Sequence, residues 1–231
     1  MGAIDIRRAV VADATRIGAA HVACWRESYA DIVPAACLDA LDATAFAKDW
    51  ADMLAAGRLS VFVAEQSGEI AGFGSCGATR SKKLAAAGFD HEFWTLYLLG
   101  AAQGQGAGRR LMATMAADLQ ARGAVGAGVW MFEANHRARG FYEALGAQDV
   151  GIAGTWDGAG VPLADLALVW PDLAGLAHQQ GDAGAPCMTS SIRARVARVV
   201  PSGRASAGKN AASAISKSGR RGPRTVKART T

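Results

Sequence analysis

The chain has 231 residues, 51% hydrophobic and 19% charged, which supplies a sizeable core and excludes disorder throughout. No apolar run approaches the ~20 residues that cross a bilayer, and Met1–Asp5 lacks the basic start and apolar stretch of a secretory leader. The net charge of +5 is uneven: residues 174–231 carry eleven Lys and Arg against one acid, Asp182, so residues 1–173 are net acidic at −5.

Ala3–Arg8 reads as a short strand, and Asp13 as the N-cap of a helix with Ile17, His21 and Trp25 at four-residue spacing. After Pro34 a second helical stretch carries Leu38, Leu41, Phe46, Trp50 and Leu54. Ser60–Glu65 and Ile70–Cys76 are apolar strands joined by the short turn Ser67-Gly68-Glu69, a hairpin. Glu92–Leu99 is a further strand, and Gly106–Ala121 a helix with Leu111, Met115 and Leu119 on one face. A strand at Gly126–Glu133, a helix at His136–Leu145 and strands at Gln148–Ile152 and Leu163–Trp170 complete the series. This β-α-α-β-β-β-α-β-α-β-β order predicts an α+β protein, a mixed sheet with helices packed on it. From about Leu173 onward no sustained period of 2 or 3.6 remains. The expected organisation is therefore a folded domain over 1–173 and a basic, mostly disordered tail over 174–231, with a short element at Ile192–Val200.

One turn has specific chemistry. Gln103-Gly104-Gln105-Gly106-Ala107-Gly108 follows a strand and opens a helix. Glycines there allow positive φ and close approach of backbone to a ligand, and free N–H groups at a helix N-terminus face an anion such as phosphate. Arg109 and Arg110 add charge behind the turn. The glycines at 104, 106 and 108 do not match the Gly-x-Gly-x-x-Gly dinucleotide pattern, and no Gly-Lys-Ser/Thr follows for a P-loop. A loose glycine-rich connection is the competing reading, since the chain holds 28 glycines.

Gln103-x-x-Gly106-x-Gly108 resembles the pyrophosphate-binding signature of the GNAT superfamily of N-acetyltransferases, Gln/Arg-x-x-Gly-x-Gly/Ala. Asn135-x-x-Ala138-x-x-Phe141-Tyr142-x-x-x-Gly146 resembles a second segment of that family, in the expected order and beyond an intervening strand. Trp25, Tyr29, Pro34, Leu38 and Leu41 are similar to a pattern of its small-molecule members, so the resemblance covers roughly residues 3–172. It implies an acyl-CoA N-acyltransferase fold whose sheet is central, mixed, mostly antiparallel and flanked by helices. That sheet splays between Glu92–Leu99 and Gly126–Glu133. Acetyl-CoA is the implied co-substrate, its pantetheine arm lying in the wedge near the Leu98 backbone. Its pyrophosphate is held by Gln103, Gly104, Gln105, Gly106, Ala107, Gly108 and Arg109. Two departures stand out: Gly100 where the family commonly has Pro, and Gln105 where it often has Arg or Lys.

Acetyl transfer needs a deprotonated amine, a donor to the tetrahedral oxyanion and a proton for the departing thiolate. By resemblance Tyr142 is the acid, and the competing reading makes it a core aromatic beside Phe141. Glu92 is the corresponding base, against the alternatives of a solvated strand-end carboxylate or of Asp90 and His91 serving instead. Asn135 resembles the family asparagine that bonds the coenzyme, and it also suits the N-cap of the following helix. The Leu98 N–H is the implied oxyanion donor. Trp25, Glu27 and Tyr29 fall at the end of the first helix, which lines the acceptor pocket in this fold. Trp25 and His21 read as packed core residues, and Glu27 as a surface carboxylate able to attract an amine.

The function implied is transfer of acetyl to a primary amine of a small molecule, by direct attack on the thioester in a ternary complex. Acetylation of a protein N-terminus or lysine is an alternative on the same fold. In a different class, the basic tail would bind nucleic acid through phosphates, without the interleaved aromatics that stack bases. Cys24, Cys37, Cys76 and Cys187 are scattered with no Cys-x-x-Cys pair, so neither a metal site nor a disulfide framework is expected. A reduced, cytoplasmic protein without a membrane partner is the expectation, with a homodimer left open.

Overall fold

A computed structural model describes residues 2–178. The expected tail from Gln179, including the element at Ile192–Val200, lies outside the described residues.

The chain begins with β1 (Ile4–Arg8), a 3-10 turn at Val11–Asp13 and α1 (Ala14–Tyr29). Asp13 stands before α1 as expected, but its carboxylate does not cap it. It instead accepts from the Val10 N–H at 2.9 Å and pairs with Arg7 and Arg16, each at 2.7 Å. Two guanidiniums outcompete the helix N–H groups for an anion, because charge-assisted bonds are the stronger.

The stretch after Pro34 is two helices, α2 (Ala35–Asp39) and α3 (Ala43–Ala56). Asp42 divides them: its side chain accepts from the Thr44 N–H at 2.8 Å and so starts α3 afresh. The hairpin follows as β2 (Ser60–Gln66) and β3 (Glu69–Ala78), closed by Ser67 and Gly68 at φ 53° and 86°. Two positive φ values match the right-handed twist of the flanking strands.

A short α4 (Lys82–Ala86) without a sequence-level expectation leads into β4 (His91–Leu98). Then come α5 (Ala107–Ala121), β5 (Ala127–Phe132), α6 (His136–Ala144), β6 (Gln148–Trp156), β7 (Leu163–Trp170) and α7 (Ala174–Ala177). Ordered structure thus continues past residue 173, with Leu176 2% exposed in the same core cluster as Leu119 of α5.

The seven strands form one sheet in the order β1-β2-β3-β4-β5-β7-β6. Every neighbouring pair is antiparallel except β4–β5. Alternate residues of β2 face opposite sides, as strand geometry requires: Phe62 and Ala64 join the core under α5, Val61 and Val63 the core under α1 and α3. Leu111, Met112, Met115 and Leu119 of α5 are fully buried, each worth roughly 1.5–3 kcal/mol relative to exposure.

The parallel pair is the feature that positions a site. β4 and β5 match only at Glu92–Gly128 and Phe93–Val129, then part. On the other side of β4 the register with β3 jumps from Thr95 to Phe93 between Ser75 and Cys76, leaving Trp94 as an extra residue. Such a bulge bends its strand and increases the local twist. It falls where β4 leaves β5, and a wedge opens there.

Candidate active site

The wedge is a cavity of about 480 Å³, walled by β4 on one side and by β5 and α6 on the other. One end closes on the glycine-rich turn. Gly104 and Gly106 have φ 74° and 79°, and a Cβ on either would meet nothing within 4 Å. They are required by backbone conformation rather than by space. Gly108 differs, since a Cβ there would lie 3.1 Å from Leu98 Cδ1 and 3.2 Å from Phe141 Cζ. Three glycines of one motif thus serve two physical ends.

The neighbours of those glycines fix the turn. The Gln103 side-chain amide donates to the Leu98 carbonyl at 2.9 Å, and that of Gln105 to the Ala101 carbonyl at 2.6 Å. Ala107 is buried in the core. Gln103, Gly104, Gly106, Gly108 and Arg109 line the wedge, as do Leu98 and Asn135. Arg110 turns away and donates to the Ile4 carbonyl at 2.5 Å. Gly106 is the N-cap of α5 and makes no side-chain cap for its first turn.

Asn135 caps α6, accepting from the Ala138 N–H at 3.1 Å. Tyr142, 6% exposed, lines the wedge and packs edge-on against Trp170 at 5.8 Å between centroids. Burial foremost, then the neighbouring Tyr29, holds its hydroxyl well above the ordinary tyrosine range. The Tyr142 ring packs in the core as the aromatic reading expects, and the residue also borders the cavity.

At its other end the wedge meets a smaller cavity of about 100 Å³. Tyr29, Trp94, Tyr97, Trp130 and Met131 line both. Tyr29 and Tyr97 place their hydroxyl oxygens 3.4 Å apart. Burial pushes the Tyr97 hydroxyl up to about 12 and that of Tyr29 well above its usual value. All three tyrosines are therefore protonated donors near neutral pH.

Glu92 borders the smaller cavity and is 4% exposed, so it is no solvated strand-end carboxylate. Its Oε2 accepts from the Thr79 hydroxyl at 2.9 Å and the Arg80 N–H at 3.1 Å, and its Oε1 from the Arg80 guanidinium at 3.2 Å. Three bonds leave one of about four lone-pair positions for another donor. Asp90 and His91 line neither cavity.

Trp25 is both packed and cavity-lining, edge-on to Tyr29 at 5.1 Å. His21 is a core residue, accepting from the Trp50 indole at 3.1 Å, with burial lowering its pKa to about 3. Glu27 faces the wedge and is held by the Gly100 N–H.

Sequence reasoning missed Arg80, Trp94, Tyr97, Trp130, Trp156 and Asp165, which lie on four strands and one loop and meet around the smaller cavity. The one available signal is compositional: four of the chain's six tryptophans line it. Among the described residues no cluster of three His, Cys, Asp or Glu could hold a metal, and no helix is long and apolar enough to cross a membrane.

The sheet thus splays beside a glycine-opened helix, with a long cleft in the split. Residues 23–147 match the model of the acetyltransferase (GNAT) family. A Bacillus subtilis protein, YuaI, described as an uncharacterized N-acetyltransferase, is 36% identical over 174 residues, covering 75% of this chain and 96% of its own. Two solved structures share the fold. The yncA protein of Salmonella typhimurium, whose structure holds acetyl-CoA, superposes with a TM-score of 0.56 at 19% identity, covering 81% of this chain and 99% of that one. The paia N-acetyltransferase of Thermoplasma acidophilum, in complex with coenzyme A, gives 0.54 at 14% identity, covering 71% and 98%. The chain belongs to the GNAT family of acetyltransferases, and it is an N-acetyltransferase.

Proposed function

We propose that this protein moves the acetyl group of acetyl-CoA to a primary amine of a small molecule, by direct attack within a ternary complex. The observation that carries this reading is the meeting of two cavities at Tyr29 and Tyr97. The longer one ends on the N–H groups of the 103–108 turn and suits a pantetheine arm and pyrophosphate. The smaller one, on the far side of the junction, suits the acceptor.

The chain's residues divide the proton work by charge state. An arriving ammonium must lose a proton before its nitrogen can form a bond to the thioester carbon. Glu92 is the group that takes it, directly or through water, because the tyrosines are held protonated. The new C–N bond turns the carbonyl into an oxyanion, and the Leu98 N–H lies along the β4 edge that the splay exposes. When the C–S bond breaks, Tyr142 gives its proton to the sulfur and regains one from the second proton that the nitrogen sheds as it becomes an amide. The products are an amide and a thiol, with the ammonium's extra proton released to solvent. Cys24, Cys37 and Cys76 are free thiols, which suits a reducing, cytoplasmic setting.

Calorimetry with coenzyme A and acetyl-CoA, followed by thiol release on adding amines, tests the reading. Saturable heat and amine-dependent thiol are expected. No heat with either form would overturn it.

A further inference from the structure

Glu92 is held by two successive residues of the loop between β3 and α4. Its Oε2 accepts from the Thr79 hydroxyl at 2.9 Å and from the Arg80 backbone N–H at 3.1 Å, which fill both lone pairs of that oxygen. The Thr79 hydroxyl is fixed in turn, accepting from the Ser81 N–H at 3.2 Å. Oε1 accepts once, from the Arg80 guanidinium at 3.2 Å. The remaining lone-pair position of this carboxylate, which borders the smaller cavity, is therefore on Oε1.

The same guanidinium makes a second contact. It lies 3.5 Å from the centre of the ring of Trp94, the extra residue of the β4 bulge. Trp94 is anchored independently, because its indole N–H donates to the Ala78 carbonyl at 3.1 Å. Arg80 thus sits between a carboxylate and an aromatic ring, each of which attracts a cation. A planar guanidinium can stack and donate at once, which the compact ammonium of lysine cannot. With its side chain 29% exposed, Arg80 meets a buried partner, so the pair is screened less than a surface bridge. Burial alone disfavours the charged form of a carboxylate, and a neighbouring cation offsets that.

We infer that Arg80 is a positioning residue for the transfer, holding the Glu92 carboxylate so that Oε1 is the oxygen that takes the proton of the acceptor ammonium. The N–H bond breaks, its electron pair stays on nitrogen, and the proton passes from Oε1 to solvent. This rests on the reading of Glu92 as the base and adds the residue that aims it.

The test is a double-mutant cycle in the full chain, with Arg80→Ala, Glu92→Gln and both together. Thiol release from acetyl-CoA is followed with tyramine, spermidine, methionine, kanamycin and a lysine-containing peptide, and the amine that the wild type turns over fastest is the probe. Arg80→Ala should lower kcat/KM about tenfold in the wild-type background and less than about threefold beside Glu92→Gln, because residues that act as a unit are not additive. Millimolar guanidinium should restore activity to Arg80→Ala and none to the double variant. The calorimetric Kd for coenzyme A should stay within about threefold of wild type, since Trp94 keeps its bond to Ala78. If Arg80→Ala does not fold, Arg80→Lys carries the same cycle with the same criteria. An equal loss in both backgrounds, or a loss matched by weaker coenzyme binding, would overturn the inference, because Arg80 would then act on the bulge and not through Glu92. A deficit in Glu92→Gln beside full activity in Arg80→Ala would sink this inference alone. Full activity in Glu92→Gln would sink the base assignment and this inference with it, and no thiol release from the wild type with any of the amines would sink both through the transferase reading.

Discussion

The carboxylate of Glu27, near the end of α1, accepts a hydrogen bond from the backbone N–H of Gly100 at 2.7 Å. A proline, common at this position in the family, has no N–H to donate. The departure from the family pattern thus creates a tie between α1 and the loop that leads into the 103–108 turn.

Glu27→Ala should release that loop. The pair is solvent-exposed, so the loss is about 1 kcal/mol, read as a rise of roughly fivefold in the calorimetric Kd for coenzyme A. An unchanged Kd would show that the loop holds its shape unaided.

Gly106→Ala forces a β-carbon into the left-handed region and should cost about 1–2 kcal/mol, lowering Tm by roughly 3–6 °C for a domain of this size. Gly140→Ala is the control. It sits in exposed mid-α6 with nothing within 4 Å of its added Cβ, and should raise Tm slightly because glycine is the poorer helix former.

Tyr142→Phe keeps the ring against Trp170 and removes only the hydroxyl. A thiol of pKa ~8.5 is already a fair leaving group, so kcat should fall at the lower end of the general-acid range, about 10–100-fold. The affinity for coenzyme A should stay within about threefold.

Glu92→Gln should lower kcat/KM at pH 7 by about tenfold or more. The deficit should narrow above pH 9, where a free amine of pKa ~10 becomes abundant. An equal deficit at every pH would mean that Glu92 acts only by holding Arg80. Loss of that charge should also cost about 1–3 kcal/mol in urea unfolding.

Stability should depend on pH through His21. Its folded-state pKa is about 3 because burial opposes the charged form, whereas the unfolded value is about 6.5. Between those values the unfolded chain binds more protons, so stability is full above pH 6.5 and falls toward pH 3. The urea midpoint should drop from pH 7 to pH 4, and less steeply in His21→Asn.

The sequence alone determined every strand, the helix that opens at Gly106, and the family. Period-2 and period-3.6 patterns are local, and the 103–108 and 135–146 motifs are contiguous. It misread what depends on distant charge or competing caps. Asp13 is taken up by Arg7 from β1, and Asp42 splits one expected helix into two. Tertiary structure alone decided the smaller cavity. The Trp94 bulge parts β4 from β5, and only then do Trp25, Trp130, Trp156 and Asp165 converge on Glu92. Residues so far apart along the chain share a cavity because strand pairing, a non-local interaction, brings them there. No spacing rule records that.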